Sequence, residues 1–203
     1  MLRNRKRRKS SLLRRKQIIE TLRKLILKYG SEHVSVRRIA KEVGISEGAI
    51  YKHFKSKKEI LSFLVDYIEE SLISDIQNHN TGDNILQHLE NVLRSHLSSL
   101  EQRRGISFLV IAEIISLGDK KLNRKIFGVL TQYISRIKEL LGIGVQTGEI
   151  GQDINLDMAA MAFFGMAQGL ATIWALSDYS FSVEQRYTAL WDVLCKGIEK
   201  HKF

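Results

Sequence analysis

Residues 34–54 read Val-Ser-Val-Arg-Arg-Ile-Ala-Lys-Glu-Val-Gly-Ile-Ser-Glu-Gly-Ala-Ile-Tyr-Lys-His-Phe. The pattern predicts two short helices around a tight turn, because Gly44 stands where a left-handed backbone would strain a residue with a Cβ. Ser35 and Ser46 each precede a helical stretch, where a hydroxyl can accept from an unpaired backbone N–H. The residues expected to face the core are Ile39, Ala40, Val43, Ile45 and Ile50. This segment is therefore predicted to be a helix-turn-helix, whose second helix fits the DNA major groove.

The second helix of this segment has an outer face of short, polar or cationic groups. These are Ser46, Glu47, Gly48, Tyr51, Lys52 and His53. Such groups suit phosphate oxygens and base edges. The alternative is a helical corner that binds nothing. The coincidence of caps, turn glycine, apolar spacing and polar face favours DNA binding.

Residues 17–66 resemble the DNA-binding domain of TetR/AcrR-type transcriptional regulators. The resemblance lies in Ala49-Ile50-Tyr51-Lys52-His53-Phe54, followed by Lys55-Ser56-Lys57-Lys58-Glu59-Ile60-Leu61. It implies phosphate contacts from Ser35, Arg37, Tyr51, His53 and Lys57, and base contacts from Glu47, Gly48, Ala49 and Lys52. Beyond residue 70 the resemblance is carried only by helical pattern and the segment Gln168-Gly169-Leu170-x-x-x-Trp174.

Composition and periodicity predict an all-α chain of about nine helices. The 203 residues are 44% hydrophobic and contain no proline, which suits uninterrupted helices. Capping boxes begin at Ser56 and Ser182, and Gly30 would cap a helix over 14–29. The run 106–116 is apolar nearly all round and is predicted to be buried. We divide the chain into a flexible basic tail (1–16), a helix-turn-helix domain (17–66) and a helical bundle for effector binding and dimerisation (67–203).

The net charge of +10 is concentrated at the DNA-binding end. Residues 1–16 carry nine Lys or Arg and no acid, whereas residues 67–203 are net negative. Such a field is the electrostatic footprint of a nucleic-acid partner. The tail is predicted either to contact phosphates or to remain a solvated charge run.

Residues 158–176 contain no charge over 19 positions. That length permits a membrane span, but the many Ala and Gly residues, Gln168 and the acidic flanks favour burial by protein, so no membrane partner is expected. Small residues would allow a second copy of the chain to approach closely, and an ordinary intrachain core is the alternative. The predicted homodimer interface comprises Gly165, Gly169, Thr172, Leu190, Trp191 and Leu194.

Aromatic and aliphatic residues of the same region are candidates for an effector pocket, which the resemblance also implies. The predicted lining is Phe108, Ile111, Ile115, Tyr133, Met161, Phe164, Gln168 and Trp174. Each of these residues could equally be plain core. No cluster of Arg or Lys accompanies the apolar stretches, so an uncharged hydrophobic effector is expected.

Catalysis has little support in the sequence. No phosphate loop, serine elbow or carboxylate pair stands out, and His88 and His96 lack metal-ligand spacing. Cys195 is the one cysteine, which fits a reducing cytoplasm. We expect no enzyme activity, cofactor or metal. Two functions stay open: a repressor released from a palindromic DNA operator by a small hydrophobic effector, or a constitutive or architectural DNA-binding protein whose C-terminal domain serves only assembly.

Overall fold

The computed structural model describes residues 2–29, 35–77 and 84–198. Over these residues the chain forms nine α-helices, one 3-10 turn at Glu184–Arg186 and no β-strand, which confirms the all-α prediction. The helices are α1 (Leu2–Tyr29), α2 (Val36–Val43), α3 (Glu47–His53), α4 (Lys57–Gln77), α5 (Ile85–Gln102), α6 (Ile106–Leu117), α7 (Lys120–Thr147), α8 (Leu156–Leu176) and α9 (Tyr187–Ile198).

Helix α1 differs from the prediction of a flexible tail over residues 1–16. It runs without a break from Leu2 to Tyr29. Arg, Lys and Leu are good helix formers, and no Gly or Pro interrupts this segment, so helix propensity prevails over charge repulsion. The predicted cap Gly30 lies outside the described residues.

Helix α4 belongs to both predicted domains, because the boundary placed at residue 66 falls in its middle. The helix begins after Ser56, whose Oγ accepts from the Glu59 amide at 3.4 Å. The Glu59 carboxylate accepts from the Lys55 amide at 2.7 Å, one residue earlier than a capping box requires. Leu64 is buried in the N-terminal half of the helix and Leu72 in the C-terminal half.

Ion pairs fasten the start of α7 to α4. Lys58 Nζ lies 2.7 Å from an Asp119 carboxylate oxygen, and Asp119 also caps α7 by accepting from the Leu122 amide. Lys125 Nζ donates to the Ser62 carbonyl at 2.6 Å and pairs with Asp66 at 2.5 Å. These contacts hold the first half of α4, which lies in the DNA-binding end, to α7 of the C-terminal bundle.

Helix α7 packs against α4, α5 and α8 and forms the middle of the C-terminal bundle. Near its end, Gly144 allows a close approach. A Cβ there would lie 2.6 Å from side-chain atoms of both Ile85 and Ile150. The absence of a side chain at residue 144 therefore lets α5 and the segment after α7 close the bundle.

Helices α6 and α8 are buried on one face only, so the prediction that 106–116 is buried is wrong for three exposed residues, Ala112, Ile115 and Ser116. In α6, Ile106, Val110 and Ile114 face inward, while Ile115 is 66% exposed. In α8, Phe163 is inside and Ile173 is 60% exposed. Among the described helices, α8 alone is long and apolar enough to cross a membrane, yet its inner stripe packs within the bundle.

Candidate DNA interface and effector cavity

The turn between α2 and α3 has the geometry that its residues predict. Ser35 Oγ accepts from the Arg38 amide at 3.2 Å and begins α2. Gly44 has φ 73° and ends the helix in the left-handed region, while the Ile45 amide donates to the Ala40 carbonyl at 2.9 Å. The chain therefore turns sharply enough for α3 to pack across α2.

Helix α3 presents a polar face on a buried apolar stem. Ser46 Oγ caps it by accepting from the Ala49 amide at 3.2 Å. Ile50 is fully buried, whereas Tyr51 is 51% exposed. Of the residues predicted to contact DNA, seven are exposed: Ser35, Arg37, Ser46, Glu47, Gly48, Tyr51 and Lys52. Ala49 and His53 are half-buried, and the Lys57 side chain lies outside the described residues.

Phe54 holds α3 in place. It is 1% exposed and packs edge-on against the Phe63 ring at a centroid distance of 5.9 Å. The Arg15 guanidinium lies 5.3 Å from the Phe54 ring centre and pairs with Glu59 at 2.8 Å. Arg15, which the sequence places in the tail, is thus a structural part of the DNA-binding domain.

His53 lies at the end of α3 beside two cationic side chains. Burial, followed by the charges of Arg15 and Arg14, lowers the pKa of His53 below its usual range. In the protein without DNA the imidazole is therefore neutral at pH 7 and has one N–H that can donate to a phosphate oxygen.

A narrow cavity of about 20 Å³ lies where α4, α5, α6, α7 and α8 meet. One side is aliphatic and aromatic, and the other side is polar. The apolar lining comprises Ile68, Leu72, Leu100, Ile111, Leu130 and Phe164. The polar lining comprises Ser71, Asp75, His96, Ser99, Arg103, Ser107 and Gln168.

Only part of the predicted effector lining borders this cavity. Ile111, Phe164 and Gln168 line it, and Tyr133 reaches it through a 3.2 Å hydrogen bond to His96. The other predicted residues do not line the cavity. The sequence could not exclude them, because a helix that is apolar all round does not reveal which of its sides faces inward. Ile115 and Met161 are exposed on the surface. The Trp174 ring packs edge-on against the Tyr179 ring, with 4.8 Å between the ring centroids. Phe108 is half-buried and does not border the cavity.

The polar side of the cavity is a feature that the sequence does not suggest. Ser71 and Asp75 are one turn apart on α4, and Ser99 on α5 is four residues before Arg103, the residue that caps the end of α5. No motif marks these residues. The available signal is the spacing i, i+4 of polar groups beside apolar stripes, which ordinary surface positions share.

Two larger grooves open on the surface of the bundle. One, of about 480 Å³, lies between α4 and α7 and includes Leu72 and Tyr133 in its lining. The other, of about 440 Å³, lies between α6 and α7 beside Ile115 and Phe127. Because Leu72 lines both the cavity and the first groove, its side chain separates the cavity from that groove.

The predicted dimer residues divide between surface and core. Gly165 and Gly169 are exposed, with open space beside each, and Thr172 and Leu190 are half-buried. Trp191 and Leu194 are each 7% exposed and face the chain's own core, so placing these two in the dimer interface is wrong. Their helix, α9, packs on α5 and α8 and requires its large apolar side chains for that contact.

The family description "Bacterial regulatory proteins, tetR family" matches residues 18–62, which contain the helix-turn-helix. A second description, "YsiA-like protein, C-terminal region", matches residues 58–197. The chain belongs to the TetR family. It is a DNA-binding transcriptional regulator with an N-terminal helix-turn-helix and a C-terminal helical domain.

Two curated relatives of this TetR-family chain have different names. The fatty acid metabolism regulator protein of Bacillus subtilis is 26% identical over 186 residues, which cover 90% of this chain and 94% of that protein. The nucleoid occlusion factor SlmA of Shewanella sp. (strain MR-4) is 26% identical over 181 residues, covering 88% and 91%.

Solved structures with the same fold include two regulators named FadR. FadR of Bacillus subtilis in complex with stearoyl-CoA has a TM-score of 0.73 at 25% identity, covering 90% of this chain and 98% of that one. FadR of Bacillus halodurans has a TM-score of 0.78 at 23% identity, covering 90% and 95%. The second likeness shows the fold alone.

Substitutions in α3 are expected to separate affinity from sequence preference. Tyr51→Ala should weaken binding to all operator variants by a similar factor, because its predicted contact is to the backbone. Lys52→Ala should also change which base is preferred, by about 1–3 kcal/mol at one position. Lys121→Ala, a matched loss of charge on α7, should change neither quantity. Binding titrations over a set of single-base operator variants measure all three, and normal binding by folded Tyr51→Ala and Lys52→Ala variants would contradict the assignment.

Proposed function

We propose that this TetR-family regulator is a cytoplasmic homodimeric repressor, released from a palindromic operator by a small hydrophobic effector. One helix-turn-helix reads half of a site, and a two-fold dimer matches a palindrome. The exposed faces of α8 and α9 supply a surface for that dimer. Its apolar residues include Met158, Met161, Ile173, Leu176 and Val193.

The observation that carries the proposal is the course of α4. Phe63 in the first turns of this helix packs against Phe54 in the DNA-binding domain, while Ser71, Leu72 and Asp75 farther along the helix line the cavity. A displacement at the cavity therefore changes the position of α3 through one continuous helix. The distance between the two recognition helices of a dimer would change with it.

The cavity is too small for a whole effector molecule, so effector binding requires α4 to move. A volume of about 20 Å³ admits one small group and not a whole hydrophobic molecule. Binding must then separate the helices around the cavity, so the effector binds the separated state better than the closed one. Such differential affinity is what allosteric release requires, and its usual size is about 5–150-fold in operator affinity.

The apolar walls support an effector with a hydrophobic body. Ile68, Leu100, Ile111 and Phe164 offer aliphatic and aromatic contact. The relative from Bacillus subtilis whose structure holds stearoyl-CoA, at 25% identity, supports an acyl chain as one form of that body. We propose an acyl or aromatic compound with a chain long enough to reach from the α4/α7 groove to the cavity.

An operator selected from random DNA, followed by a screen of hydrophobic compounds, tests the function. A compound that raises the melting temperature of the protein is expected also to weaken operator binding. Gel shifts with and without the compound measure the second effect. Selection of no preferred DNA sequence would refute the proposal, and so would compounds that bind without changing operator affinity.

A constitutive or architectural DNA-binding protein is the second candidate. The small cavity favours it, as does the 26% identity to a nucleoid occlusion factor. Under this function the C-terminal domain serves only assembly. Unchanged operator binding with every compound that binds the domain would support this candidate against the repressor.

The basic N-terminal residues are expected to add salt-dependent affinity. Residues 1–11 contain six Lys or Arg, and a truncation ending there keeps Arg15 and its pair with Glu59. If two to four phosphates are contacted, the log–log slope of affinity against salt should fall by about 2–4 on truncation. Operator-binding titrations over roughly 50–200 mM salt measure this slope. An unchanged slope would show that these residues do not contact phosphates and serve only to keep the protein soluble.

A further inference from the structure

The polar side of the cavity contains a carboxylate that is buried without an ion pair to any of the residues that the structure describes. Asp75 is 5% exposed and accepts hydrogen bonds from Ser99 at 2.9 Å and from Ser95 at 3.3 Å. No cation within the described residues lies within 4.0 Å of it. A buried carboxylate with two hydroxyl donors retains the capacity to accept a further hydrogen bond.

A guanidinium lines the same cavity but is bonded elsewhere. Arg103 donates to Ser71 and lies 5.2 Å from the ring centre of Tyr67. Its remaining N–H groups are donors at the polar side, and its charge balances that of Asp75 without touching it. The cavity therefore holds one charge of each sign and has little net charge.

His96 adds an uncharged polar group. Burial lowers the pKa of His96 and raises the pKa of Tyr133, so both are uncharged at pH 7. The Tyr133 hydroxyl oxygen and His96 Nδ1 are hydrogen-bonded at 3.2 Å. A neutral imidazole has one N–H and one acceptor nitrogen, so Nε2 is the donor of this ring in the tautomer whose Nδ1 accepts from Tyr133.

These groups together suit one kind of ligand atom. Asp75 accepts, while Arg103, His96 and Gln168 can donate. The free volume of about 20 Å³ is that of one water-sized group. A hydroxyl donates once and accepts, so it satisfies both sides. An ammonium has no acceptor for Arg103, and a carboxylate has no proton for Asp75.

We infer that the polar side of the cavity binds a hydroxyl group, and that the effector is a hydroxylated aliphatic molecule and not a plain hydrocarbon chain. The aliphatic part lies against Leu72, Leu100 and Ile111, and the hydroxyl donates to Asp75 while accepting from Arg103 or His96. A saturated chain end in this position would leave the remaining acceptor capacity of Asp75 and the remaining N–H groups of Arg103 without a ligand partner, which disfavours a plain hydrocarbon.

The inference rests on the proposed function only in taking the cavity as the effector site. It is tested by measuring how small alkyl probes bind to the full-length protein in the absence of DNA. The probes are 1-decanol, decylamine and decanoate, compared by titration calorimetry at pH 7. Decanol is expected to bind about tenfold more tightly than either charged probe, or better, because its hydrogen bonds involve charged partners.

Two variants should reverse this order in opposite directions. Asp75→Asn leaves the charge of Arg103 unbalanced, so decanoate should become the tightest of the three probes. Arg103→Gln leaves Asp75 unbalanced, so decylamine should gain instead. Glu70→Gln is the matched control, since Glu70 is exposed on α4 and the substitution removes one negative charge without touching the cavity. It should keep the wild-type order.

Circular dichroism and the melting temperature establish whether each variant is folded. If a variant does not fold, the order of the three probe affinities in the wild-type protein decides the question by itself. Equal or tighter binding of decylamine or decanoate by the wild-type protein would overturn the inference, as would binding of none of the probes. The same order in Asp75→Asn as in Glu70→Gln would also overturn it. Decanol-selective binding that leaves operator affinity unchanged would uphold the hydroxyl site and refute the repressor function.

Discussion

Replacing Phe54 by Ala is expected to lower the free energy of unfolding by about 3–5 kcal/mol, the range for a large aromatic side chain removed from a core. Phe54 is 1% exposed, packs against Phe63 and lies under Arg15. The cavity left behind would loosen the contact between α3 and α4, so operator binding should be lost. Denaturant titration followed by circular dichroism measures the stability, and a gel shift measures the binding.

Phe127→Ala is the control for this substitution. Phe127 lies on α7 and is 70% exposed, so its removal should change the stability by about 0.5 kcal/mol or less. Equal losses for the two variants would show that Phe54 has no special part in holding the recognition helix.

Replacing Ile173 by Asp is expected to produce a monomer that binds the operator about 10²–10⁴-fold more weakly, since the second half-site then no longer adds its avidity. Ile173 is 60% exposed in the free chain and lies on the outer face of α8. In the proposed dimer its carboxylate replacement would be buried without a partner, which costs several kcal/mol. Sedimentation and operator titration measure the two effects.

Ile115→Asp makes the same chemical change on α6, where Ile115 is 66% exposed. This variant should remain a dimer with full operator affinity, because the position lies on the α6/α7 groove and not on the outer face of α8 or α9. A dimeric Ile173→Asp variant with normal binding would contradict the placement of the interface.

The helix-turn-helix could be predicted from the sequence because its determinants are local. All of them lie within residues 35–50, and each acts on its near neighbours: the caps Ser35 and Ser46, the turn at Gly44 and the buried Ile50. Neither long-range contacts nor knowledge of other helices was required for that segment.

The inward faces of the C-terminal helices could not be predicted in the same way. In α6 and α8 apolar side chains occur all round, so helical period does not distinguish Phe163, which is buried, from Ile173, which is exposed. In α9, Trp191 and Leu194 suit a dimer interface and a core equally well by composition. The choice depends on which neighbouring helix lies beside them, and that is a tertiary property.

The polar side of the cavity escaped prediction for a related reason. Asp75 and Ser99 are 24 positions apart, and they meet only because α4 and α5 pack in a particular register. Arg103 meets Ser71 through the same register. Sequence alone therefore indicated a hydrophobic ligand, whereas the packed helices add a site for a polar group.

The sharing of α4 between the two domains also bears on how the protein unfolds. Leu64 lies in one half of the helix and Leu72 in the other, and both are buried. Loss of either core frees half of α4 and removes the support of the other half, so the two domains form one cooperative unit. Heat should accordingly melt the chain in a single transition, and amide protons along α4 should exchange only through global opening.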